Sequence, residues 1–412
     1  MTKMKESGID WIGQIPEEWE VTKLKYALLI NNGKDYKDIE VEEGGYPVIG
    51  SGGVFARSRN YMYDGDVVLL GRKGTIDKPL FYSGKFWTVD TMFYSTALNG
   101  NNIKFMYYSS LLIPFSYYST ATALPSMTQS DLNNHMLCLP SISEQQKIAD
   151  FLDKKTAQLD KVKALLGEQI QKLKDYRASL IYETVTKGLD TTVPMKDSGI
   201  DWIGQIPEEW EVSKLEQYVD IFGRIGFRGY TTNDIVNEGE GAISYSPSNI
   251  IDYSVIDNNN TYISWSKYDE SPEIQIKTGD VLYVKTGSSY GKAGIVNKLS
   301  NKATINPQLV VLKPKKNTDS RLINYFLNSS VGKDQSELIV GGSTIPTITQ
   351  ESIKKMIFPK MSFEEQQKIA DFLDKKTIQI DKLIQIKNQQ IENINKQRQT
   401  LIYDYVTGKR RV

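Results

Sequence analysis

The chain has 412 residues, 40% hydrophobic and 24% charged with 50 basic and 50 acidic side chains, the profile of a soluble globular protein of two or three domains with no global bias toward an acidic or basic partner. One cysteine, Cys138, excludes a disulfide framework or a cysteine-rich zinc site; it and the lone histidine, His135, read as packing or surface residues rather than ligands, so no metal is expected. The opening Met1-Thr2-Lys3-Met4-Lys5-Glu6 carries no apolar signal core, and no apolar run approaches the roughly 20 residues of a membrane span, so the expected location is the cytoplasm.

The first element is a short tryptophan-rich segment, taken as residues 1–24. Its letters 7–21, SGIDWIGQIPEEWEV, return unchanged at 198–212. Trp11, Trp19, Trp202 and Trp210 are expected to pack each copy, a small turn, against its neighbouring domain.

Residues 25–142 follow as a strand-rich domain. Tyr46–Gly50 and Asp66–Gly71 read as short strands, the second after the Gly65-Asp66 turn. Residues 143–190 read as a long charged helix, roughly 65 Å at about 1.5 Å per residue. Leu152, Leu159, Leu166, Leu173 and Leu180 recur every seven residues, with Ile148, Val162 and Tyr176 as part of a second stripe, which is the pattern of a coiled-coil seam. Gly167 interrupts it at modest cost, and Gly188 marks the stop.

Residues 191–215 repeat the tryptophan segment after a Thr/Pro linker. Residues 216–363 form a second strand-rich domain with strands expected at Asp280–Lys285 and Gln308–Leu312. It shares landmarks with the first: Gly279-Asp280 answers Gly65-Asp66, and 345–350 (IPTITQ) answers 124–129 (LPSMTQ). The last element, 364–412, is a second long helix. EQQKIADFLDKKT stands at both 144–156 and 365–377, and Leu373, Ile380, Ile394 and Leu401 keep the seam with Lys387 as a break. A constant frame thus occurs twice, carrying two divergent inserts of one fold. The fold class is α+β: two strand-rich mixed domains separated by two long antiparallel coiled-coil helices, with pseudo-twofold character.

Catalytic patterns are missing. Gly287–Lys292 has three residues between its glycines where a phosphate-binding loop has four, and Ala293 follows its lysine. No G-x-S-x-G elbow, dinucleotide fingerprint or Asn-Pro-Pro-aromatic motif occurs; Asn306-Pro307-Gln308 stops short of the last. Basic residues do cluster. Between 271 and 316 eight lysines face only Glu273 and Asp280, interleaved with Gly, Ser, Thr and Tyr that suit phosphate contacts. The candidate DNA contacts are Arg57, Arg59, Arg72 and Lys73 in the first insert, and Arg224, Arg228, Lys285, Ser289, Tyr290 and Lys292 in the second. Thr128 and Gln129, with Thr349 and Gln350, occupy the shared loop, where packing is the competing role.

The two copies of SGIDWIGQIPEEWEV, the two copies of EQQKIADFLDKKT and the tail LIYETVTKGL at 180–189 resemble the specificity (S) subunits of type I restriction–modification enzymes, over the whole chain. The resemblance implies that the inserts are target-recognition domains, each reading one half of a bipartite, asymmetric site in double-stranded DNA, with the helices fixing the unread gap. It implies no catalytic residue and no cofactor in this chain. Two methyltransferase (M) subunits would bring S-adenosylmethionine and flip out an adenine for N6 methylation, and two restriction (R) subunits would add ATP- and Mg-dependent translocation and cleavage. A protein scaffold that never touches DNA is the alternative.

Overall fold

The computed structural model describes residues 3–118, 125–226, 229–342 and 344–412. Two long helices, Ile142–Lys187 and Phe363–Val406, run 46 and 44 residues. The chain divides into two compact units, Met1–Gly167 with Asn388–Val412, and Glu168–Lys387, so each unit holds part of both helices.

In the first unit the tryptophan segment is a small hairpin, Met4–Glu6 against Gln14–Pro16. The following strand Glu20–Lys23 pairs antiparallel with Met136–Leu139, so the insert leaves and re-enters the frame side by side. Between them lies a seven-stranded sheet. Its central ladder runs Leu28–Asn32, Met92–Ala97, Tyr63–Gly71, Leu80–Thr88. Strand Tyr46–Gly50 joins parallel to the last of these, followed by Gly53–Ser58 and Glu40–Val41. Gly65 is not in a turn: it lies inside strand Tyr63–Gly71 at φ +144°, opposite Gly84 at φ +108°.

The second unit repeats the plan. Hairpin Met195–Asp197 and Gln205–Pro207 leads to Glu211–Lys214, which pairs with Ile357–Lys360. The central ladder is again first strand, last strand, then hairpin: Val219–Gly223, Leu309–Pro314, Val281–Val284, Ala293–Ile295. Here the outer strands form a separate four-stranded sheet, Ile235–Val236, Thr261–Ser264, Gly241–Tyr245, Ala303–Ile305.

Side-chain alternation explains the uninterrupted apolar strands. Val68 and Leu70 face a core shared with the helices, while Val67 and Leu69 face a distal core with Val48, Phe86 and Met92. In the second unit Val281 and Tyr283 take the helix side and Leu282 and Val284 the distal side. A strand covered on both faces needs no polar alternation, and each such side chain contributes about 1.5–3 kcal/mol on burial.

Within each unit the helices run antiparallel. In the first, Asp160 faces Arg398 and Lys163 faces Asn395, one helix ascending as the other descends. In the second, Arg177 faces Asp381. Leu152, Leu373 and Ile380 are buried in the seam; Leu159, Leu166, Leu173, Leu180, Ile394 and Leu401 are half-buried. Lys387 keeps its place in the heptad by donating to Gln169 Oε1 at 2.6 Å. The second stripe differs from the sequence expectation. Val162 and Tyr176 are 46% and 54% exposed. The inward positions after Ile148 are Thr156, Ile170, Arg177 and Thr184, a mixed set whose hydroxyls and long stem disguise it in an apolar pattern.

Trp19 and Trp210 are buried as expected, and Trp11 stacks on His135 at 5.9 Å. His135 is itself buried, with Nδ1 2.9 Å from the Tyr118 hydroxyl, and Cys138 is buried beside it on the closing strand. Tyr403 of the second long helix donates to the carbonyls of Trp11 and Ile12 at 3.2 and 3.3 Å. Tyr182 of the first donates to the Ile203 carbonyl at 3.4 Å. Each tryptophan segment is therefore tied to the end of the long helix other than the one its own insert leads into.

Candidate nucleic-acid interface

Both units build the same loop at the end of the central strand. In the first, the Met127 amide donates to the Arg72 carbonyl at 2.9 Å and the Gly74 amide to the Pro125 carbonyl at 2.9 Å. In the second, Ile348 donates to Lys285 at 2.7 Å and Gly287 to Pro346 at 3.0 Å. Isolated bridges Lys73–Ser126 and Thr286–Thr347 complete the zipper. Arg72 and Lys285 thus occupy one position in two otherwise divergent domains, and the matching stretches 125–129 and 346–350 are the strap that holds it.

The strap's polar residues act mainly in that closure. Thr128 caps the helix Gln129–Asn134 in a reciprocal box with Asp131, and Thr349 caps Gln350–Lys354 through the Ser352 amide. Gln129 donates to the Ile30 carbonyl at 2.7 Å, and Gln350 lies over Gly223, where an added Cβ would meet its Nε2 at 2.7 Å. The two glutamines meet the first strand of the ladder, and the two threonines cap the short helices that carry them.

Arg72 is half-buried, donating to the Asp90 carbonyl at 3.2 Å with its guanidinium 5.9 Å from the Phe93 ring. Lys73 beside it is exposed. Arg57 and Arg59 are exposed at the end of the outer hairpin and donate to the carbonyls of Gly45 at 3.3 Å and Asp38 at 2.5 Å. The first-unit candidates therefore form two places, a strap position and a hairpin edge.

In the second unit Ser289, Tyr290 and Lys292 line one cavity of about 610 Å³ together with Ser288, Asp252 and Lys333. Lys333, on the helix Ser330–Ile339, was missed from sequence because it lies outside the lysine-rich stretch. Three of the loop's amides are used internally: Tyr290 donates to Gly287, Gly291 to Val284 and Lys292 to Ser289. That is unlike a phosphate cradle, whose amides point outward.

The lysine-rich stretch is less of a unit than its spacing implies. Lys313 pairs with Asp280 at 3.4 Å and Lys315 with Asp220 at 3.3 Å, while Lys302 sits 5.6 Å from the Trp265 ring. Arg224 is 6% exposed, with Nε donating to the Ile305 carbonyl at 3.1 Å and Nη2 to Thr304 Oγ1 at 3.3 Å. Burial lowers its proton affinity. Its geometry is that of an internal brace between strands, because a buried guanidinium needs such acceptors. Arg228 lies outside the described residues.

No group of His, Cys, Asp and Glu among the described residues could hold a metal ion. No described helix is long and apolar enough to cross a membrane.

Comparison with known proteins gives the context for this interface. The type I restriction modification DNA specificity domain matches twice, at residues 16–173 and 207–396. The chain belongs to this family. The MjaVIII specificity subunit of Methanocaldococcus jannaschii is 24% identical over 97% of this chain and 94% of its own length. The MjaX specificity subunit of the same organism, a putative type I restriction enzyme subunit, is 27% identical over 97% and 96%. A solved chain from a study of complex assembly and conformational transition in the type I R-M system covers 96% of this chain and 99% of its own, with TM-score 0.74 at 16% identity. The HsdS subunit of Thermoanaerobacter tengcongensis follows at TM-score 0.52, 16% identity and 96% and 98% coverage. These two likenesses establish the specificity-subunit fold. The duplicated family match corresponds to the two repeats of frame and insert.

Proposed function

We propose that each strand-rich domain of this specificity subunit reads one half of a bipartite, asymmetric DNA site, and that the paired helices hold the two readings at a fixed gap. The observation that carries the reading is the shared strap. It presents Arg72 in one domain and Lys285 in the other at one position of two surfaces that otherwise differ, as two readers of different half-sites need. Arg57, Arg59 and Lys73 extend the first surface, and Ser289, Tyr290, Lys292 and Lys333 the second. Arginine suits the guanine edge or a phosphate, and the lysines suit phosphates. Arg224 is left out of the contact set because it is buried.

Catalysis then falls to partners docked on the duplicated frame: two methyltransferase subunits carrying S-adenosylmethionine for adenine N6 methylation, and two restriction subunits using ATP and Mg. The work takes place in the cytoplasm, where the chromosome is accessible.

The experiment is adenine-methylation mapping of host DNA after co-expression with the neighbouring methyltransferase subunit. The expected result is one two-part motif with a fixed central gap, of which only one half changes when residues 25–142 are exchanged. An assembled complex that binds S-adenosylmethionine yet leaves no such motif would favour the scaffold alternative.

A further inference from the structure

The two inserts differ in sequence, yet both dock on the frame through one polar socket. In the first unit the helix Ile103–Ser110 begins at Asn102, whose backbone amide donates to Gln145 Oε1 at 2.9 Å. Two residues on, Lys104 pairs with Asp153. Six residues on, the Tyr108 hydroxyl donates to Asp153 Oδ1 at 2.8 Å and meets Thr156 Oγ1 at 3.1 Å. In the second unit the helix Ser320–Asn328 begins at Asp319, whose amide donates to Gln366 Oε1 at 3.0 Å. Two residues on, Arg321 pairs with Asp374 at 2.8 Å. Six residues on, the Tyr325 hydroxyl donates to Asp374 Oδ1 at 2.8 Å and meets Thr377 Oγ1 at 3.2 Å.

The frame side of every contact lies inside the thirteen-letter duplicate: Gln145, Asp153 and Thr156 in one copy, Gln366, Asp374 and Thr377 in the other. The insert side is a three-point pattern on one helix: a cap amide, a cation two residues later and a tyrosine six residues later. Gln145 and Gln366 are both 1% exposed, and Thr156 and Thr377 both 5%. Each glutamine also reaches the chain before its long helix, Gln145 to the Pro140 carbonyl at 3.0 Å and Gln366 to Met361 at 3.4 Å. Apolar packing alone would allow a domain to slide or rock, because dispersion and the hydrophobic effect are non-directional. A charged acceptor receiving two donors, with a buried amide acceptor beyond it, fixes direction as well as contact.

We infer that Asp153 and Asp374, with Gln145, Gln366, Thr156 and Thr377, form a positioning socket that sets the angle of each recognition domain on its helix, and so sets how strictly the complex measures the gap between half-sites. The inference rests on the bipartite reading proposed above. Moving a half-site by one base pair shifts it about 3.4 Å along the duplex and turns it by roughly one tenth of a helical turn. A domain held at three polar points rejects that displacement, and one held only by apolar contact accommodates it. The pattern also states what a foreign insert must bring to be accepted by this frame.

The test compares wild type with Asp153→Ala, Asp374→Ala and the milder Tyr108→Phe and Tyr325→Phe. Each full chain, in complex with its methyltransferase subunit, is assayed on DNA carrying the correct gap or a gap one base pair longer or shorter. Loosening either socket is expected to raise methylation of the off-gap sites at least tenfold relative to the correct site, with both half-sequences still required. Uniform loss of methylation with the wild-type gap preference, or no change, overturns the inference and assigns these residues to stability alone. If wild type itself shows no two-part motif, the DNA reading fails. Hydrogen exchange then decides the socket: faster exchange confined to 103–110 in Asp153→Ala and to 320–328 in Asp374→Ala supports it, and unchanged exchange sinks it.

Discussion

Arg177 on the first long helix meets Asp381 on the second at 3.0 Å, and Arg398 and Asp160 repeat the pairing with the helices exchanged, at 3.8 Å. In both arginines Nε is buried without a hydrogen-bond partner. The guanidinium of Arg177 lies 4.7 Å from the Tyr253 ring, so its role divides between charge, ring contact and the packing of its stem.

That division predicts an order of variants. Arg177→Ala removes all three and is expected to cost about 1–2 kcal/mol, since a partly exposed pair contributes up to about 1 and a cation–π contact about 0.5–1. Arg177→Met loses the same charge and ring contact but keeps the packing of the stem, so it should cost less than Arg177→Ala. Urea unfolding of the two variants checks this; equal losses would assign the effect to the guanidinium, its charge and ring contact, and none of it to the stem.

Gly167 sits in the first long helix with open space where a Cβ would go and no positive φ. Gly167→Ala should stabilise the protein by about 0.5–1 kcal/mol through helix propensity and a restricted unfolded state. A higher denaturation midpoint with methylation intact is the expected result. An unchanged or lower midpoint would mean that the glycine serves a bend the helix needs.

His135 is held neutral: burial lowers its pKa from 6.5 to about 4. The folded form binds this proton less readily than the unfolded chain. Its contribution is therefore complete above about pH 6.5 and is lost as pH falls toward 4. Between pH 7 and pH 5 the loss should reach about 2 kcal/mol at most, at about 1.36 kcal/mol per unit. Urea midpoints at the two pH values, for wild type and His135→Phe, test it: the variant should show the smaller acid loss.

The four elements of the frame and the strand-rich nature of both inserts were legible in the sequence, because exact duplication, seven-residue leucine spacing and apolar strands are patterns of letters. Three things were not. The inner stripe Thr156, Ile170, Arg177 and Thr184 was displaced onto Val162 and Tyr176, because an apolar count passes over buried hydroxyls and an arginine whose stem is packed. Arg224 read as a surface cation because nothing local reveals that Ile305 and Thr304, some eighty residues on, wait to receive it. The contact of Asp153 with Tyr108 leaves no mark in the letters, because it is made between elements 45 residues apart. The matching letters at 124–129 and 345–350 pointed to a shared loop, but the equivalence of Arg72 with Lys285 needed the backbone bonds of the strap.

Arg72 and Lys285, at one strap position, should each govern one half of the DNA target. Arg72→Ala should relax one half-site and Lys285→Ala the other, at about 1–3 kcal/mol if the contact is to a base. Lys292→Ala should weaken binding to all sequences alike and reduce the salt slope by about one, as a phosphate contact does. Binding of the assembled complex to half-site variants over a salt series separates the two outcomes; equal effects of Arg72→Ala on both halves would remove it from the reading surface.

The exchange of helix ends between the tryptophan segments has a consequence for the order in which the protein can be made. The second unit, Glu168–Lys387, is one continuous stretch and holds all its parts once Lys387 has left the ribosome. The first unit needs Asn388–Val412, so Ile12, Trp19, Ile148 and Leu152 wait for Ile402 and Val406 through most of synthesis. The half translated first is the half completed last, and until then an apolar face stands open on the nascent chain.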